Sequence, residues 1–227
     1  MIFQLPSSEY ERYNNYSGNG QSALLQALKK SIEKTYSKTS IRADGQVIVV
    51  PFTDGINFEV VPAFLNTDNS YTYPDANNGG RWRTTNPRLE IQAIRDRNLL
   101  CNQNLVPLCR MMRCWRDKWN VPIGGLLIDT LAYQFIDGWA YKDMSYLYYD
   151  FMCRDFFNWM ANQNKEQEYW KAPGSGQYVY GKGLFQNKAK SCYSLSLEAI
   201  EHETATPKRE WSAKQKWIEI FGTSFPS

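Results

Sequence analysis

Residues 45–64 constrain the fold of this chain more than any other stretch of its sequence. Two apolar runs rich in β-branched residues flank the dipeptide Asp54-Gly55. Such residues favour strands, and both members of an Asp-Gly pair tolerate the positive φ angles of a tight hairpin turn. The pattern predicts an antiparallel β-hairpin in this part of the chain.

A single carboxylate, Glu59, lies within the second of these runs. Side chains alternate along a strand, so Glu59 shares one face with Asn57 and Val61, while Phe58 and Val60 share the other. A carboxylate on a half-buried strand is costly unless it is paired, hydrogen-bonded or bound to a metal. Two interpretations stay open: Glu59 faces water on an edge strand, or it is a functional carboxylate.

Residues 58–64, Phe-Glu-Val-Val-Pro-Ala-Phe, resemble the strand that carries the third carboxylate of the bacterial cyclic-oligonucleotide synthases. These enzymes are nucleotidyltransferases of anti-phage signalling, related to cyclic GMP-AMP synthase and oligoadenylate synthase. Further segments resemble the family in the same order, at residues 73–75, 79–82, 85–87, 108–113, 125–130, 170–176 and 221–226. The order and spacing of these segments over most of the chain make the resemblance specific.

The resemblance implies an α+β fold. A polymerase-β-like nucleotidyltransferase sheet, incomplete at its N-terminus, would occupy residues 1–90 as a partial α/β domain. Residues 91–227 would form the α-helical C-terminal domain. The mixed sheet would line the active-site cleft, and the helices would form the opposite wall.

The resemblance also implies a metal site. In nucleotidyl transfer two Mg²⁺ (or Mn²⁺) ions activate a ribose hydroxyl and stabilise the leaving pyrophosphate. By resemblance Glu59 is the catalytic third carboxylate that binds these metals, at a position where many relatives have aspartate. The other two carboxylates belong to an Asp-x-Asp pair that would lie upstream of Met1, because residues 1–5 already have the pattern of the strand that follows it.

Two origins of this arrangement are possible: Met1 is an internal methionine of a longer gene product, or the chain is naturally shortened. We favour the first, since a strand at residue 1 is an unusual beginning for a domain. In either case we expect the 227 residues alone to bind nucleotide weakly and to be inactive, because the Asp-x-Asp pair is missing.

Arg110, Arg113 and Ser175 are the candidate nucleotide-binding residues. The two arginines are three residues apart in a helical pattern, which makes them neighbours on the helix surface. That pattern alone fits solvated arginines as well as a phosphate site, and the resemblance places basic residues of this helix near the donor phosphates. Ser175 lies in a Gly-Ser-Gly turn that resembles a phosphate cradle but lacks the Lys-Ser/Thr ending of a P-loop.

Composition narrows the function classes. A net charge of +3 is too small for a nucleic-acid coat but suits a local basic pocket. Five cysteines without disulfide rhythm and one histidine, His202, predict free thiols and no zinc site. No apolar run reaches membrane-spanning length and no signal peptide precedes the fold. We therefore expect a cytoplasmic protein with no membrane or nucleic-acid partner, and by resemblance one that uses ATP, GTP or other nucleoside triphosphates and has regulatory protein partners.

Local signals complete the predicted layout. Pro62 is expected to end the second strand, and residues 65–87 to form a long loop. Gly79 and Gly80 in that loop would admit a nucleotide to the backbone, or belong to a surface loop pinned by Trp82. Residues 165–182 predict another loop, and Thr206-Pro207 the start of the last helix.

Three functions remain possible on the sequence alone. The first is a cyclic-oligonucleotide synthase making cyclic di- or trinucleotide second messengers. The second is a non-catalytic nucleotide-binding or regulatory relative that begins at Met1. The third is a helical interaction module with a vestigial sheet.

Overall fold

The predicted hairpin is present in a computed structural model that describes residues 1–224, so Phe225 and Pro226 of the last resembling segment lie outside the described residues. The chain divides into two units, Met1–Pro87 and Arg88–Ser227. The strands of the first unit are β1 (Ile2–Gln4), β2 (Arg42–Asp44), β3 (Val47–Pro51), β4 (Asn57–Leu65), β5 (Tyr71–Asp75) and β6 (Arg81–Thr85). They pair in the order β2-β3-β4-β5-β6, and β1 pairs with β4 in parallel.

The hairpin turn is longer than the sequence predicted. Only Gly55 of the Asp-Gly pair has a positive φ, at 85°. The Phe52 N–H donates to the Ile56 carbonyl at 2.8 Å, and the Asp54 carboxylate accepts the Ile56 N–H at 3.0 Å. The two strands are therefore joined by a five-residue loop that the Asp54 side chain closes.

Pro62 does not end the strand, and this prediction was wrong. β4 continues to Leu65. The Val61 N–H and the Ala63 carbonyl both bond to the β1 segment, so the Pro62 nitrogen faces the opposite edge of β4. On that edge the β3 register ends at Val60 and the β5 register begins at Phe64. A proline is tolerated here because no partner requires its missing N–H.

The long loop predicted for residues 65–87 is mostly a second hairpin. β5 and β6 pair over five residues each, from Tyr71 opposite Thr85 to Asp75 opposite Arg81. A short 3₁₀ turn, Asn77–Gly79, connects them. The aromatic and threonine residues of this segment favour strands, and pairing with β4 gives them a sheet to join.

Helices cover one face of this sheet. They are α1 (Ser7–Asn14) and α2 (Gly20–Thr35). Leu25 of α2 packs with Ile48, Val50 and Val60 in one cluster, while a second cluster holds Tyr13, Leu24 and Phe64. An apolar groove of about 390 Å³ opens on the same face, beside Phe3 and Phe58. The face that carries Glu59 is the other one.

Gly80 lets the second hairpin approach the start of α2. Its φ is 91°, and a Cβ there would lie 2.4 Å from Asn19 Oδ1 and 2.5 Å from Gln21 Oε1. Asn19 is the N-cap of α2, where its side chain accepts the Ser22 N–H at 2.8 Å. Trp82 is held as well, because its Nε1 donates to Asn14 Oδ1 at 3.0 Å. Gly80 and Trp82 therefore make contacts that hold the second hairpin against the helices of this unit.

The second unit is helical around an apolar core. Its helices are α3 (Pro87–Leu100), α4 (Leu105–Trp119), α5 (Gly125–Asp137), α6 (Tyr149–Ala161), α7 (Gln186–Thr204) and α8 (Glu210–Phe221). Short 3₁₀ turns lie at Tyr146–Tyr148 and Gly222–Ser224. An apolar stripe at helical spacing on α4 faces this core, where Leu105, Leu108, Met112 and Trp115 are fully buried. The Lys188 ammonium caps the end of α4 by donating to the Trp119 and Asn120 carbonyls at 2.6 and 2.8 Å.

Two local predictions for this unit were wrong. Residues 165–182 contain an antiparallel pair, β7 (Tyr169–Lys171) and β8 (Tyr178–Tyr180), because aromatic residues face one another across it. Thr206-Pro207 does not start α8, which begins at Glu210. There the Arg209 N–H donates to the His202 carbonyl at 3.0 Å, so the connecting segment first folds back onto α7.

All five cysteines are free thiols, as predicted, and only Cys114 among them is exposed. Within the described residues, the helices are too short or too polar to cross a lipid bilayer.

The crowding at Gly80 gives a test of the hairpin–helix contact. Gly80→Ala should lower the free energy of unfolding by about 1–2 kcal/mol more than Gly55→Ala does. Both glycines have positive φ, but a Cβ at Gly55 meets nothing within 4 Å. Urea unfolding followed by circular dichroism measures both variants. Equal losses would show that Gly80 serves backbone conformation alone.

Candidate functional site

Glu59 lies in the middle of the sheet, not at its edge. It is opposite Val49 of β3, and its own carbonyl accepts a hydrogen bond from the Met1 amino group at 2.6 Å. Its backbone is therefore bonded on the β1 side and flanked by β3 on the other, while its side chain is exposed. The edge-strand interpretation was wrong about the strand, but the carboxylate does face solvent.

The register of β1 against β4 fixes what lies beside Glu59. Ile2 is opposite Val61, and the Val61 N–H donates to the Met1 carbonyl at 2.8 Å. Continued toward the N-terminus in the same register, a strand would place the position before Met1 opposite Glu59. Paired residues of neighbouring strands share a face. A side chain at that position would therefore lie on the same face as Glu59.

Arginines lie elsewhere on the same face, where a buried carboxylate holds them. Asp75 is buried and accepts a hydrogen bond from Arg81 Nε at 3.0 Å, and Arg83 Nε lies 3.6 Å from it. Asn77 donates to it as well, at 2.8 Å. Burial raises the pKa of the Asp75 carboxyl, but the bonds from Arg81 and Asn77 outweigh it and hold that pKa below its usual range. This cluster ties β5 to β6.

A metal site cannot be completed from the described residues. Residues 1–224 contain no group of three or more His, Cys, Asp or Glu side chains that could hold a metal ion. Mg²⁺ prefers hard oxygen ligands in octahedral geometry, and two-metal transfer needs several carboxylates. Glu59 supplies one. Described residues therefore do not fit a two-metal centre by themselves.

Arg113 is held by two partners in the second unit. Its Nη2 donates to Asp129 Oδ2 of α5 at 2.7 Å, and its Nη1 donates to the Cys109 carbonyl at 3.0 Å. The Asp129 bond raises the pKa of Arg113 further. The pKa of the nearby Cys109 thiol is raised, mainly by burial, so the thiol stays neutral. A guanidinium has five N–H donors, more than these two bonds use.

The start of α5 forms a basic cradle that the sequence analysis did not identify. A methyl group on Gly125 would lie 3.7 Å from Arg113 Nη2 and 4.0 Å from Arg116 Nη1, and one on Gly124 would lie 3.7 Å from Lys182 Cε. Gly124 is the N-cap and has no side chain to bond the first N–H groups of the helix. Those N–H groups and the helix dipole favour an anion. In the sequence, the Gly124-Gly125 pair before an apolar helix is the feature that could have indicated this cradle.

Arg110 and Ser175 are placed differently from Arg113. Arg110 is exposed on α4. Ser175 Oγ donates to Glu90 Oε1 at 2.8 Å, which connects its turn to the first turn of α3. Burial raises the pKa of Glu90, and the Ser175 bond opposes that shift. Neighbouring Gly174 packs so closely on α3 that a Cβ would lie 2.2 Å from the Leu89 carbonyl oxygen.

Glu59 belongs to the first unit, and Arg110, Arg113 and Ser175 to the second. Within the second unit the structure brings Arg113, Arg116 and Lys182 to the start of α5. Assigning Glu59 to metal and the other three residues to nucleotide remains a prediction.

Known proteins share this architecture. Residues 1–98 match the Second Messenger Oligonucleotide or Dinucleotide Synthetase domain. A probable cyclic nucleotide synthase of Bacillus cereus (strain VD146) is 24% identical over 209 residues, which are 87% of this chain and 60% of that protein. The predicted resemblance to the cyclic-oligonucleotide synthases is confirmed.

Two solved structures have a similar fold. The Vibrio cholerae DncV cyclic AMP-GMP synthase, in complex with the linear intermediate 5′ pppA(3′,5′)pG, superposes with a TM-score of 0.70 at 13% identity, covering 91% of this chain and 60% of that one. CdnC of E. coli MS115-1, in its complex with HORMA-deltaN, gives a TM-score of 0.61 at 14% identity, covering 100% and 76%. The predicted α+β fold with a polymerase-β-like sheet and a helical part is confirmed. The chain spans about three fifths of the curated relative.

Ser175 can be tested as a structural residue of this synthase-like fold. The hydroxyl stabilises the ionised form of Glu90, whose pKa burial has raised. Ser175→Ala should therefore destabilise the chain by about 1 kcal/mol near neutral pH, and by less as the pH falls and Glu90 takes up a proton, because the lost hydrogen bond favours the ionised carboxylate. Thermal unfolding near neutral pH and at acid pH measures this difference.

The control is Ser191→Ala, because Ser191 is exposed on α7 and bonds only a carbonyl of its own helix in the contacts described. It should change stability little and equally at both pH values. A Ser175→Ala loss that does not depend on pH would contradict the charge-assisted bond.

Proposed function

We propose that this chain functions in a nucleotidyltransferase that joins nucleoside triphosphates into cyclic di- or trinucleotide second messengers of anti-phage defence. The observation that carries the proposal is the position of Glu59. Its side chain is exposed on the central strand β4, opposite the position that a residue before Met1 would take if β1 were extended in the same register. The Bacillus cereus relative is named a probable cyclic nucleotide synthase and Vibrio cholerae DncV a cyclic AMP-GMP synthase, which supports the same reaction class.

ATP, GTP or another nucleoside triphosphate is the proposed substrate. The DncV complex holds a linear intermediate with a triphosphate at its 5′ end. In this chain we assign the triphosphate to the start of α5, beside which Arg113, Arg116 and Lys182 lie. Guanidinium groups suit phosphate oxygens because their donors form a planar fork. Asp129 holds the Arg113 fork in one orientation before any nucleotide arrives.

Arg110 and Ser175 have supporting parts in this proposal. Arg110 is exposed on α4 and would add positive charge around the same phosphates by its proximity in sequence to Arg113. Ser175 would contact nucleotide only by exchanging its bond to Glu90 for one to a phosphate oxygen. A carboxylate beside a phosphate is unfavourable, so the assignment of Ser175 to nucleotide is weaker than that of Arg110.

Mg²⁺ (or Mn²⁺) is the proposed cofactor, with Glu59 as one ligand. A bound pair of these ions would polarise the phosphoryl group and lower the pKa of the attacking hydroxyl. Since the described residues supply one carboxylate, the site requires others. In the observed register, an Asp-x-Asp pair ending directly before Met1 would place both aspartates on the face of Glu59.

The 227-residue chain alone should not turn over. Incubated with ATP, GTP and Mg²⁺, it should give neither cyclic nor linear oligonucleotide by mass spectrometry. An N-terminal extension that ends in an Asp-x-Asp pair directly before Met1 should give product. In the extended chain Glu59→Ala should lower the rate at least about a hundredfold, because metal ligation supplies several kcal/mol to the transition state.

The matched control inserts one residue between Asp-x-Asp and Met1. A one-residue slip moves both aspartates to the opposite face of the sheet, so this extension should stay inactive. Product from the unextended chain would refute the proposed metal site. If the in-register extension is inactive but the chain binds nucleotide, the non-catalytic nucleotide-binding or regulatory relative becomes the better description.

Nucleotide binding tests the basic cradle of the second unit by itself. Lys182→Gln and Arg113→Gln should each raise the Kd for ATP about tenfold, as expected for loss of a charge-assisted phosphate contact. Isothermal titration calorimetry measures this on the 227-residue chain. Lys190→Gln, at an exposed lysine of α7, is the control and should leave the Kd unchanged. Equal small effects from all three variants would place the nucleotide elsewhere.

Partner and compartment follow from the same proposal. The CdnC structure contains a HORMA protein, so a regulatory protein partner is proposed for this chain too. Nucleoside triphosphate substrates and free thiols both suit the cytoplasm, where thiols stay reduced.

A further inference from the structure

The basic cradle at the start of α5 contains a carboxylate as well as its three cations. Asp129 lies four residues after Gly125 on α5, so the two residues share one face of the helix. Its Oδ2 accepts the hydrogen bond from Arg113 Nη2 at 2.7 Å. A negative charge beside a phosphate is unfavourable by itself. The carboxylate of Asp129 therefore needs a role in this cradle other than its charge.

Two hydrogen bonds hold the Arg113 guanidinium in one orientation. Nη1 donates to the Cys109 carbonyl of its own helix, α4, at 3.0 Å, and Nη2 reaches across to Asp129 of α5. The Arg113 and Asp129 side chains are 37% and 24% exposed. Because the group is bonded to both helices and partly buried, its plane is set before a ligand arrives, which lowers the entropy cost of binding one.

Gly125 shows where this fixed guanidinium lies. A Cβ at Gly125 would lie 3.7 Å from Arg113 Nη2 and 3.9 Å from Arg113 Nε. The edge of the guanidinium that joins these two nitrogens therefore lies beside the first turn of α5. The first backbone N–H groups of a helix have no partner within the helix. An anion bound at this helix start would meet the backbone donors and the guanidinium edge together.

A second carboxylate bonds another arginine of the cradle but is placed differently. Arg116 Nε donates to Asp117 Oδ1 at 2.7 Å. Asp117 is the next residue on the same helix, and its side chain is 67% exposed. An ion pair between neighbours at such exposure contributes little and fixes little. The two carboxylates thus carry equal charge at equal distance from a cradle arginine, but Asp129 alone of the two joins that arginine to another helix.

We infer that Asp129 is a positioning residue of the nucleotide site, which orients the Arg113 guanidinium so that its remaining N–H groups face a triphosphate at the start of α5. This role rests on the proposed assignment of the triphosphate to the cradle. It requires that orientation outweigh charge: removing the negative charge of Asp129 weakens the binding of an anion. A simple electrostatic effect would have the opposite sign, because the loss of a nearby negative charge favours an anion.

Isothermal titration calorimetry of ATP on the 227-residue chain measures that sign. Asp129→Ala, and Asp129→Ser as a second variant too short to reach Arg113, should each raise the Kd about fivefold, because the ligand must then order the guanidinium itself. Asp129→Asn keeps an oxygen that accepts from Nη2 and should raise the Kd less than about twofold. Asp117→Ala is the matched control. It removes the same charge beside Arg116 and should not raise the Kd.

Repeating these measurements in an Arg113→Gln background shows whether Asp129 acts through Arg113. There Asp129→Ala should not raise the Kd further, because no guanidinium remains to be oriented. If Arg113→Gln alone leaves the Kd unchanged, the assignment of the triphosphate to the cradle is wrong, and the role of Asp129 falls with it.

Other results would overturn the role of Asp129 alone. They are an Arg113→Gln variant that raises the Kd together with an Asp129→Ala variant that lowers it, leaves it unchanged, or raises it equally in both backgrounds. A rise as large for Asp117→Ala would also overturn it, since position would then not matter. Circular dichroism of each variant confirms that it is folded.

Discussion

The parallel pairing of β1 with β4 is the interaction on which the candidate site depends. It is short, with Ile2, Phe3 and Gln4 opposite Val61, Pro62 and Ala63. Because side chains alternate, a slip of one residue would send every side chain of β1 to the other face. The apolar side chain of Phe3, although partly exposed, lines the groove on the helix-covered face and so distinguishes that face from the one that carries Glu59. Glu59 is therefore fixed in position by its backbone neighbours, while its carboxylate remains free to meet a ligand from solvent.

The basic cradle of the second unit has an analogous support. Leu108, Met112 and Trp115 are fully buried, so the rotation of α4 about its axis is set by the core. That rotation directs Arg113 toward Asp129 of α5, and the glycines at the start of α5 leave the backbone accessible beside it. A charged group that must act on a ligand is best held by rigid elements and a second charged partner, since less motion is then lost on binding. Arg113 meets both conditions, whereas exposed Arg110 does not.

Local signals predicted the parts of this fold that depend on neighbours in sequence. The hairpin at residues 45–64 follows from two β-branched runs and the Asp-Gly pair between them, because it is decided within a few residues. The errors came where a distant partner decides. Pro62 is tolerated because two other strands end and begin on either side of it, and β5 and β6 form because β4 offers an edge. The partner of Ser175 is Glu90, 85 residues earlier, and the cradle joins residues from α4, α5 and the segment before α7. A pattern among residues close in sequence cannot reveal contacts between segments so far apart in the chain.

Residues that carry a family resemblance need not all serve its chemistry, and here their contacts separate them. Asp75 and Arg81 tie β5 to β6, Gly80 makes room for the start of α2, and Gly174 and Ser175 fasten a turn to α3. Each of these is explained by the fold, because a buried carboxylate or a close backbone approach is costly unless its partner is present. Glu59 has no such explanation in its surroundings: an exposed carboxylate between valine and phenylalanine contributes little to a sheet. The same is true of a glycine pair that leaves a helix start uncapped among three cations. Function is best sought where the fold gives no reason for the residue, and in this chain those places are the middle of β4 and the start of α5.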